Sequence, residues 1–185
     1  LALLVDKAAQ GPSLVLAPTS VCGNWLAEAA RFAPTLNPIR FGVDDRTKTL
    51  EDLQPYDVLI CSYGLLQTEF AAMHAISWNI IIADAAQACQ NTATKRSKAV
   101  MGLTGHFKMI ATGTPIENHL GELWNLFQFI NPGLLGSLQD FNQKYAQTIQ
   151  TNGDAKASTA LRHLISPFIL RRLKRDVLAE LPPRT

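Results

Sequence analysis

Short apolar runs bounded by turn residues recur along the first part of the chain. Five of them have the length and composition of buried strands, and they cover Ser13 to Ala17, Pro38 to Gly42, Asp57 to Cys61, Trp78 to Ala83 and Phe107 to Ala111. Between these runs, apolar residues recur at helical spacing, as in the stripe of Trp25, Leu26, Ala29, Ala30 and Ala33. Strands that alternate with helices predict βαβ units, and therefore a parallel sheet with both faces covered.

The strand pattern stops after Ala111, and the rest of the sequence favours helices. One apolar face at helical spacing is formed by Leu120, Leu123, Trp124, Phe127 and Ile130. Asn118 is placed to cap the start of this helix, and Asn131-Pro132-Gly133 closes it. The sequence thus predicts an α/β fold with a helical insertion toward its C-terminal end.

Three further helices are expected in this insertion and after it. They span Leu138 to Thr148, about Ala155 to Ile165, and Phe168 to Leu181, with Pro167 ending or kinking the second. The last one carries the basic residues Arg171, Arg172, Lys174 and Arg175. Such a run fits either a solvated helix face or a contact with nucleic acid or another domain.

The composition fits one soluble globular domain with a helical elaboration. The 185 residues are 47% hydrophobic, which is enough for one sizeable core. A formal net charge of +2 does not by itself indicate a nucleic-acid partner, so any DNA contact has to come from local patches. The sequence has no signal-peptide pattern and no apolar run of membrane-spanning length, so we expect a cytoplasmic protein with no membrane partner.

Small polar residues follow the predicted strands, at the edge where doubly wound sheets bind their ligands. Thr19 and Ser20 follow the first strand, and Asn24-Trp25 is expected to open a helix; hydroxyls and free N–H groups there suit either a phosphate or ordinary helix capping. Ser62 lies at the next helix start, after the third strand. Thr112 begins a small turn after the fifth strand, which suits a phosphate sensor, a link to nucleic acid, or simply a turn.

Asp84 ends the fourth predicted strand, directly after the apolar run Ile80 to Ala83. A carboxylate at the end of a buried strand is suited to a nucleotide-bound magnesium ion. It is equally suited to capping a following helix, and this residue alone does not decide between the two roles.

Taken in order, these junctions resemble motifs of the superfamily 2 helicases. The stretch LVLAPTSV resembles motif Ia, LICSYGLL motif Ib, IIADAAQ motif II and ATGTPIEN motif III. Two more stretches, Pro115 to Trp124 and Pro167 to Leu178, narrow the resemblance to the SWI/SNF-type ATPases, close to the bacterial members. The resemblance extends over essentially the whole chain, from Ser13 to Thr185.

The resemblance implies a partial first RecA-like ATPase lobe over residues 1–117, with a parallel sheet flanked by helices. Residues 118–166 would form the helical protrusion, and residues 167–185 a basic brace leading to a second lobe. The parent protein would be an ATP-dependent translocase on double-stranded DNA that uses ATP and Mg²⁺ and remodels DNA-bound protein complexes. Its partners would be duplex DNA, such complexes and the second RecA-like lobe of the same chain, at the bacterial nucleoid.

The resemblance also assigns roles to individual residues. Asp84 would help to hold the magnesium ion, and Gln87 would report the nucleotide state to the second lobe. The turn residues Thr112, Gly113 and Thr114 would border the nucleotide and connect its site to the DNA side. Contacts with DNA are expected from Thr19, Ser20, Asn24, Ser62, Arg171 and Arg172.

Two departures from the family pattern concern catalysis. Ala85 stands where the family has the Glu that activates the attacking water, a loss typically worth ~10²- to 10⁴-fold in rate. The sequence contains no GxxxxGK[ST] phosphate loop, which in the family precedes the point where this chain begins. An alternative to a working motor is therefore a catalytically degenerate DNA-binding or scaffold module.

The first prediction concerns the chain by itself. It begins with Leu1 and we expect it to be a piece of a longer protein, so the 185 residues alone should neither hydrolyse ATP nor move along DNA. Without the lysine and the nested N–H groups of the phosphate loop, affinity for the nucleotide should be very weak. Phosphate release by the purified chain checks this, and turnover above a protein-free blank would contradict it.

Overall fold

The computed structural model describes residues 1–84, 94–113 and 120–172. The described strands are β1 (Ser13–Ala17), β2 (Asn37–Arg40), β3 (Asp57–Ser62), β4 (Ser77–Asp84) and β5 (Thr104–Ala111). They form a five-stranded sheet in the order β2-β3-β1-β4-β5, and every pairing is parallel. The predicted parallel sheet is confirmed, and each predicted strand overlaps an observed one.

Helices precede, connect and follow the strands of this sheet. They are α1 (Ala2–Lys7), α2 (Thr19–Phe32), α3 (Arg46–Glu51), α4 (Tyr63–Thr68), α5 (Phe70–His74), α6 (Lys95–Met101) and α7 (Leu120–Ile130). The sequence did not indicate α1, α3 or α6, because six or seven residues are too few to display a helical apolar stripe. The predicted helix after the fifth strand is present as α7, whereas its expected cap, Asn118, lies outside the described residues.

Two hydrophobic cores cover the two faces of the sheet, because successive side chains of a strand point to opposite faces. The first core includes Leu16, Leu59, Ile81, Leu66 of α4, Val100 of α6 and Phe129 of α7. The second includes Val15, Ile60, Ile82, Leu4 of α1 and Cys22 and Ala33 at α2. The three central strands, β1, β3 and β4, are apolar on both sides, which explains why they read as continuous hydrophobic runs.

Helix α2 begins at Thr19, so the start expected at Asn24-Trp25 is wrong. The carbonyl of Pro18 accepts hydrogen bonds from the N–H groups of Val21 (2.8 Å) and Cys22 (3.2 Å), which closes the first turn. Proline presets the backbone before the helix, and the chain turns into α2 directly after β1. The sequence pattern suggested a later start because the apolar stripe of this helix begins only at Trp25.

The chain divides into two compact units, residues 1–137 and 138–185, of which the second is described to Arg172. The second unit contains α8 (Leu138–Phe141), a π-helical segment (Asn142–Ala146), α9 (Gln147–Asn152), α10 (Ala155–Ile165) and a 3₁₀ turn (Ser166–Phe168). In the described part of the chain, no helix combines the length and apolar character needed to cross a membrane.

Local signals set the helix ends of the second unit. Gly153 ends α9 in the left-handed conformation (φ 60°), which glycine adopts without strain. The Asp154 carboxylate then accepts hydrogen bonds from the N–H groups of Lys156 (2.8 Å) and Ala157 (3.2 Å) and caps α10. The predicted helix from Ala155 to Ile165 is therefore confirmed. The helical stretch expected to end at Thr148 continues to Asn152.

One expectation about the C-terminal region differs from the structure. The helix expected to begin at Phe168 is wrong for the described residues, because Phe168 closes a 3₁₀ turn and Ile169 has extended backbone angles (φ −117°, ψ 125°). Pro167 lies in the 3₁₀ turn that follows α10. The division between the two compact units falls between Ser137 and Leu138, and α7 lies in the first unit, where its Leu126 and Phe129 belong to the first core.

The position of α7 gives the second prediction. Replacing the fully buried Phe129 with alanine should lower the free energy of unfolding by about 3–5 kcal/mol, because a cavity opens in the first core. Urea unfolding followed by tryptophan fluorescence measures the change. The neighbouring Gln128, which is half-buried, is the control, and Gln128→Ala should cost only about 0.5 kcal/mol. Equal stability losses in the two variants would contradict the assignment of α7 to this core.

Candidate functional site at the carboxyl edge of the sheet

The strand registers bring four strand ends to one level at the carboxyl edge of the sheet. The pairs that define this level are Ala17 with Ser62, Leu16 with Ala83, and Asp84 with Ala111. Asp84 and Thr112 therefore lie at the ends of neighbouring strands, as the sequence predicted. The carboxyl ends of β3, β1, β4 and β5 thus lie side by side, and this edge is where open α/β sheets bind ligands.

The side chain of Asp84 is held by a tryptophan. Ile80 and Ile82 of β4 point into the second core, and by strand alternation Asp84 continues on that face, the face that α2 covers. There the indole Nε1–H of Trp25 donates a hydrogen bond to Asp84 Oδ2 at 2.8 Å. Asp84 is half-buried, so this charge-assisted bond forms in an environment that is only partly open to water.

The backbone of Asp84 is held from the opposite face. Tyr63, at the start of α4, belongs to the first core, and its hydroxyl donates a hydrogen bond to the carbonyl oxygen of Asp84 at 2.8 Å. Tyr63 follows β3, and β1 lies between β3 and β4 in the sheet. The tyrosine thus crosses two strand spacings, roughly 10 Å, to reach β4. Asp84 is consequently anchored from both faces of the sheet.

The predicted DNA contacts in the first unit occupy two neighbouring helix starts. Thr19, Ser20 and Asn24 are exposed on the first two turns of α2, and the helix cap, Pro18, makes no side-chain hydrogen bond. The capping interpretation of this junction is therefore wrong. Ser62 is the cap of α4, because its Oγ accepts a hydrogen bond from the N–H of Leu65 at 3.2 Å.

The remaining predicted site residues fall in different places. Thr112 and Gly113 are exposed directly after β5. Gln87, Ala85 and Thr114 lie outside the described residues. Arg171 and Arg172 are exposed in the second unit, in a stretch without regular secondary structure.

The oxygen ligands available at the strand ends fit part of a magnesium–nucleotide site. Magnesium bound with a nucleotide takes one or two protein carboxylates, while phosphate oxygens and water complete its six oxygen ligands. Asp84 offers one carboxylate, and the bond from Trp25 engages its Oδ2 atom. Among the residues that the structure describes, Asp84 is thus the carboxylate at the ends of these strands that could bind such an ion.

Sequence reasoning missed both residues that hold Asp84. The sequence pattern places Trp25 only in an apolar stripe, and Tyr63 only in a small polar junction. Both have a large apolar body and a single polar group, and such side chains usually find a hydrogen-bond partner when they are buried. That rule predicts a partner for each residue, but the identity of the partner depends on the strand order, which the sequence pattern does not specify.

Two cysteines near this edge have thiols of low reactivity. Burial, together with a smaller contribution from the nearby Cys22, raises the pKa of the Cys61 thiol to about 12. Burial also raises the pKa of Cys22, although the positive charge of Arg40 acts in the opposite direction. Cys61 lies in the first core and Cys22 in the second, on opposite faces of the sheet. Both thiols remain protonated at neutral pH and are therefore poor nucleophiles.

Comparison with known families gives a match along the whole chain. The family described as the SNF2-related domain matches residues 1–185. Among curated proteins, YwqA of Bacillus subtilis, a candidate ATP-dependent helicase/translocase, is 42% identical over 171 residues, which are 89% of this chain and 18% of YwqA. Human TATA-binding protein-associated factor 172 is 34% identical over 94% of this chain and 10% of its own length. The chain thus spans less than a fifth of these relatives.

A solved structure has the same fold. The SWI2/SNF2 ATPase core of Sulfolobus solfataricus, determined in complex with double-stranded DNA, matches with a TM-score of 0.84 and 40% sequence identity. The match covers 95% of this chain and 36% of that chain. The predicted RecA-like α/β fold is confirmed by this comparison and by the sheet order.

The buried thiol gives the third prediction. Because the pKa of Cys61 is raised above 9.0 in the folded state, its contribution to stability should be complete below pH 9 and should disappear as the pH rises toward 12. The difference in unfolding free energy between the natural chain and Cys61→Ala should therefore shrink from pH 8 to pH 11. Urea unfolding at both values measures it, and taking the difference cancels the other groups that titrate in this window. A constant difference would contradict the raised pKa.

Proposed function

Since the chain belongs to the SNF2-related domain family, we propose that it forms part of the first RecA-like lobe of an ATP-dependent motor that translocates on double-stranded DNA. The observation that carries the proposal is the common level of the four strand ends. At one edge of one sheet, this arrangement gathers the strand ends that belong to the segments resembling motifs Ia, Ib, II and III. A nucleotide site and a DNA-binding surface at the same edge would allow a change at the phosphates to be transmitted to the DNA over a short distance.

The nucleotide side of this lobe centres on Asp84. Its carboxylate would contribute one oxygen ligand to magnesium, and the bound ion would neutralise developing charge on the phosphates. Thr112 and Gly113, on the neighbouring strand end, would border the nucleotide together with Thr114. Gln87 would contact the second lobe and respond to the nucleotide state.

The DNA side comprises the exposed polar residues at the helix starts. Thr19, Ser20 and Asn24 on α2, and Ser62 at α4, carry hydroxyl and amide groups that hydrogen-bond phosphate oxygens. Such contacts position a duplex without reading its bases, which suits a motor that acts on any sequence. The Sulfolobus neighbour was solved with double-stranded DNA, which supports this partner.

Partners beyond DNA follow from the relatives. Arg171 and Arg172 would extend toward the second RecA-like lobe or a DNA phosphate, and both side chains are exposed. A relative named as a TATA-binding protein-associated factor supports DNA-bound protein complexes as the substrate of remodelling. For the parent protein we propose a cytoplasmic location at the nucleoid, where duplex DNA is accessible.

A second candidate function is a catalytically degenerate DNA-binding or scaffold module. The observation that favours it is Ala85, because alanine cannot activate the attacking water. In this case the lobe would keep its DNA-facing residues and its fold without turnover. The two candidates differ in whether a single carboxylate at position 85 restores hydrolysis.

The fourth prediction is made for the full-length parent protein. If Ala85 is the one lesion, Ala85→Glu should raise DNA-stimulated ATP turnover by ~10²- to 10⁴-fold, since it supplies the missing general base. Phosphate release with and without duplex DNA measures the effect. Ala86→Glu, which introduces the same charge one residue later, should leave turnover unchanged. Adding Asp84→Asn to the Ala85→Glu protein should abolish the gain.

The outcome decides between the two candidates. Turnover that responds to duplex DNA in the Ala85→Glu protein supports the motor. Turnover that stays at background in both proteins, together with retained DNA binding, supports the scaffold module instead.

A further inference from the structure

The orientation of a carboxylate determines whether it can serve a metal ion. An aspartate side chain rotates about two bonds, and the protein often restricts that freedom with hydrogen bonds from groups that do not touch the metal. Asp84 lies at the last position of β4, where strand pairing orders its backbone but not its two oxygen atoms. The Trp25 indole, 2.8 Å from Oδ2, supplies the missing restraint.

We propose that Trp25 is a positioning residue for Asp84, whose indole N–H holds one carboxylate oxygen so that the other remains directed toward magnesium. The proposal rests on the proposed function, because it places Asp84 in a nucleotide site. It adds to that function a residue of α2 that touches neither metal nor nucleotide and acts through Asp84.

The donor is held independently of its acceptor. Trp25 packs against the second core, as do Val21 and Leu26 of the same helix. Helix α2 is in turn anchored by Cys22 and Ala29, which are buried in the same region of the molecule. The indole N–H is consequently presented at a set position, and the carboxylate aligns with it. A donor on a mobile side chain would not restrict Asp84 in this way.

Tyr63 completes the arrangement from the other face. Its hydroxyl binds the Asp84 carbonyl oxygen at 2.8 Å, so the backbone at this residue is held in place by a contact separate from the one made by Trp25. The two bonds have different effects, because Tyr63 locates the residue and Trp25 orients its carboxylate. Loss of the indole N–H should therefore alter metal binding while the end of β4 stays in place.

The chain offers a matched control for this role. Trp124 on α7 is also half-buried and also donates from its indole Nε1–H, in this case to the carbonyl oxygen of Gly136 at 3.1 Å. Trp25→Phe and Trp124→Phe each remove one indole hydrogen bond and keep an aromatic ring. Only the first of these changes removes a bond to a carboxylate.

The fifth prediction is tested by nucleotide binding in the full-length parent protein, where Ala85 keeps bound ATP from being consumed. Trp25→Phe should weaken the magnesium-dependent binding of ATP by about 10- to 100-fold, the usual effect of removing a group that orients a metal ligand. Trp124→Phe should bind as tightly as the unsubstituted protein. A titration with a fluorescent ATP analogue at several magnesium concentrations measures both.

A second readout does not depend on nucleotide. In protein labelled with 5-fluorotryptophan, the fluorine resonance that disappears in Trp25→Phe identifies Trp25. This resonance should shift in Asp84→Asn, whereas the resonance lost in Trp124→Phe should not. If Trp25→Phe does not fold, Trp25→benzothienylalanine keeps the shape of the bicyclic ring without the N–H group and replaces it in the binding assay.

The outcomes separate this inference from the function on which it rests. Absence of magnesium-dependent ATP binding in the unsubstituted parent would refute the proposed function, and the positioning role with it. Binding that is equally tight in Trp25→Phe and Trp124→Phe would overturn only the positioning role. An unshifted Trp25 resonance in Asp84→Asn would overturn it as well, because the hydrogen bond would then be absent in solution.

Discussion

Parallel pairing of the strands, with both faces of the sheet covered, is the constraint on which the rest of the first unit depends. It requires apolar side chains in both directions from β1, β3 and β4, and these fill two separate cores. It also requires every connection to return to the same end of the sheet. Polar segments that are far apart in sequence therefore meet at the carboxyl edge, and Asp84 meets α2 on one face and α4 on the other.

Much of the fold could be predicted because its signals are local. The continuous run that forms β4 and the periodic face of α7 are visible in a short window of sequence, and both were located correctly. The start of α2 was misplaced because the apolar stripe visible in the sequence begins only at Trp25, whereas the helix begins directly after Pro18. Short helices such as α3 carry too little periodicity to be recognised, and the packing of α7 on the sheet is a long-range property.

The candidate site likewise has a part that the sequence predicts and a part that only the structure shows. The order of the motifs along the sequence was sufficient to predict that Asp84 and Thr112 lie at the ends of neighbouring strands. The partners of Asp84 were not predictable, since they depend on β1 lying between β3 and β4. Ser62 shows that a structural role and a proposed binding role can share one residue, because its Oγ caps α4 as an acceptor while the hydroxyl hydrogen remains available as a donor.

Tyr63 contacts the backbone of residue 84, not its side chain, and this has a consequence for how such a lobe changes during evolution. A carbonyl oxygen is present whichever amino acid occupies the position, so this bond is indifferent to substitution there. The end of β4 can keep its place while the chemistry at its tip is lost or exchanged. The fold can therefore be conserved when the activity is not, and a descendant that no longer hydrolyses nucleotide can retain the same scaffold.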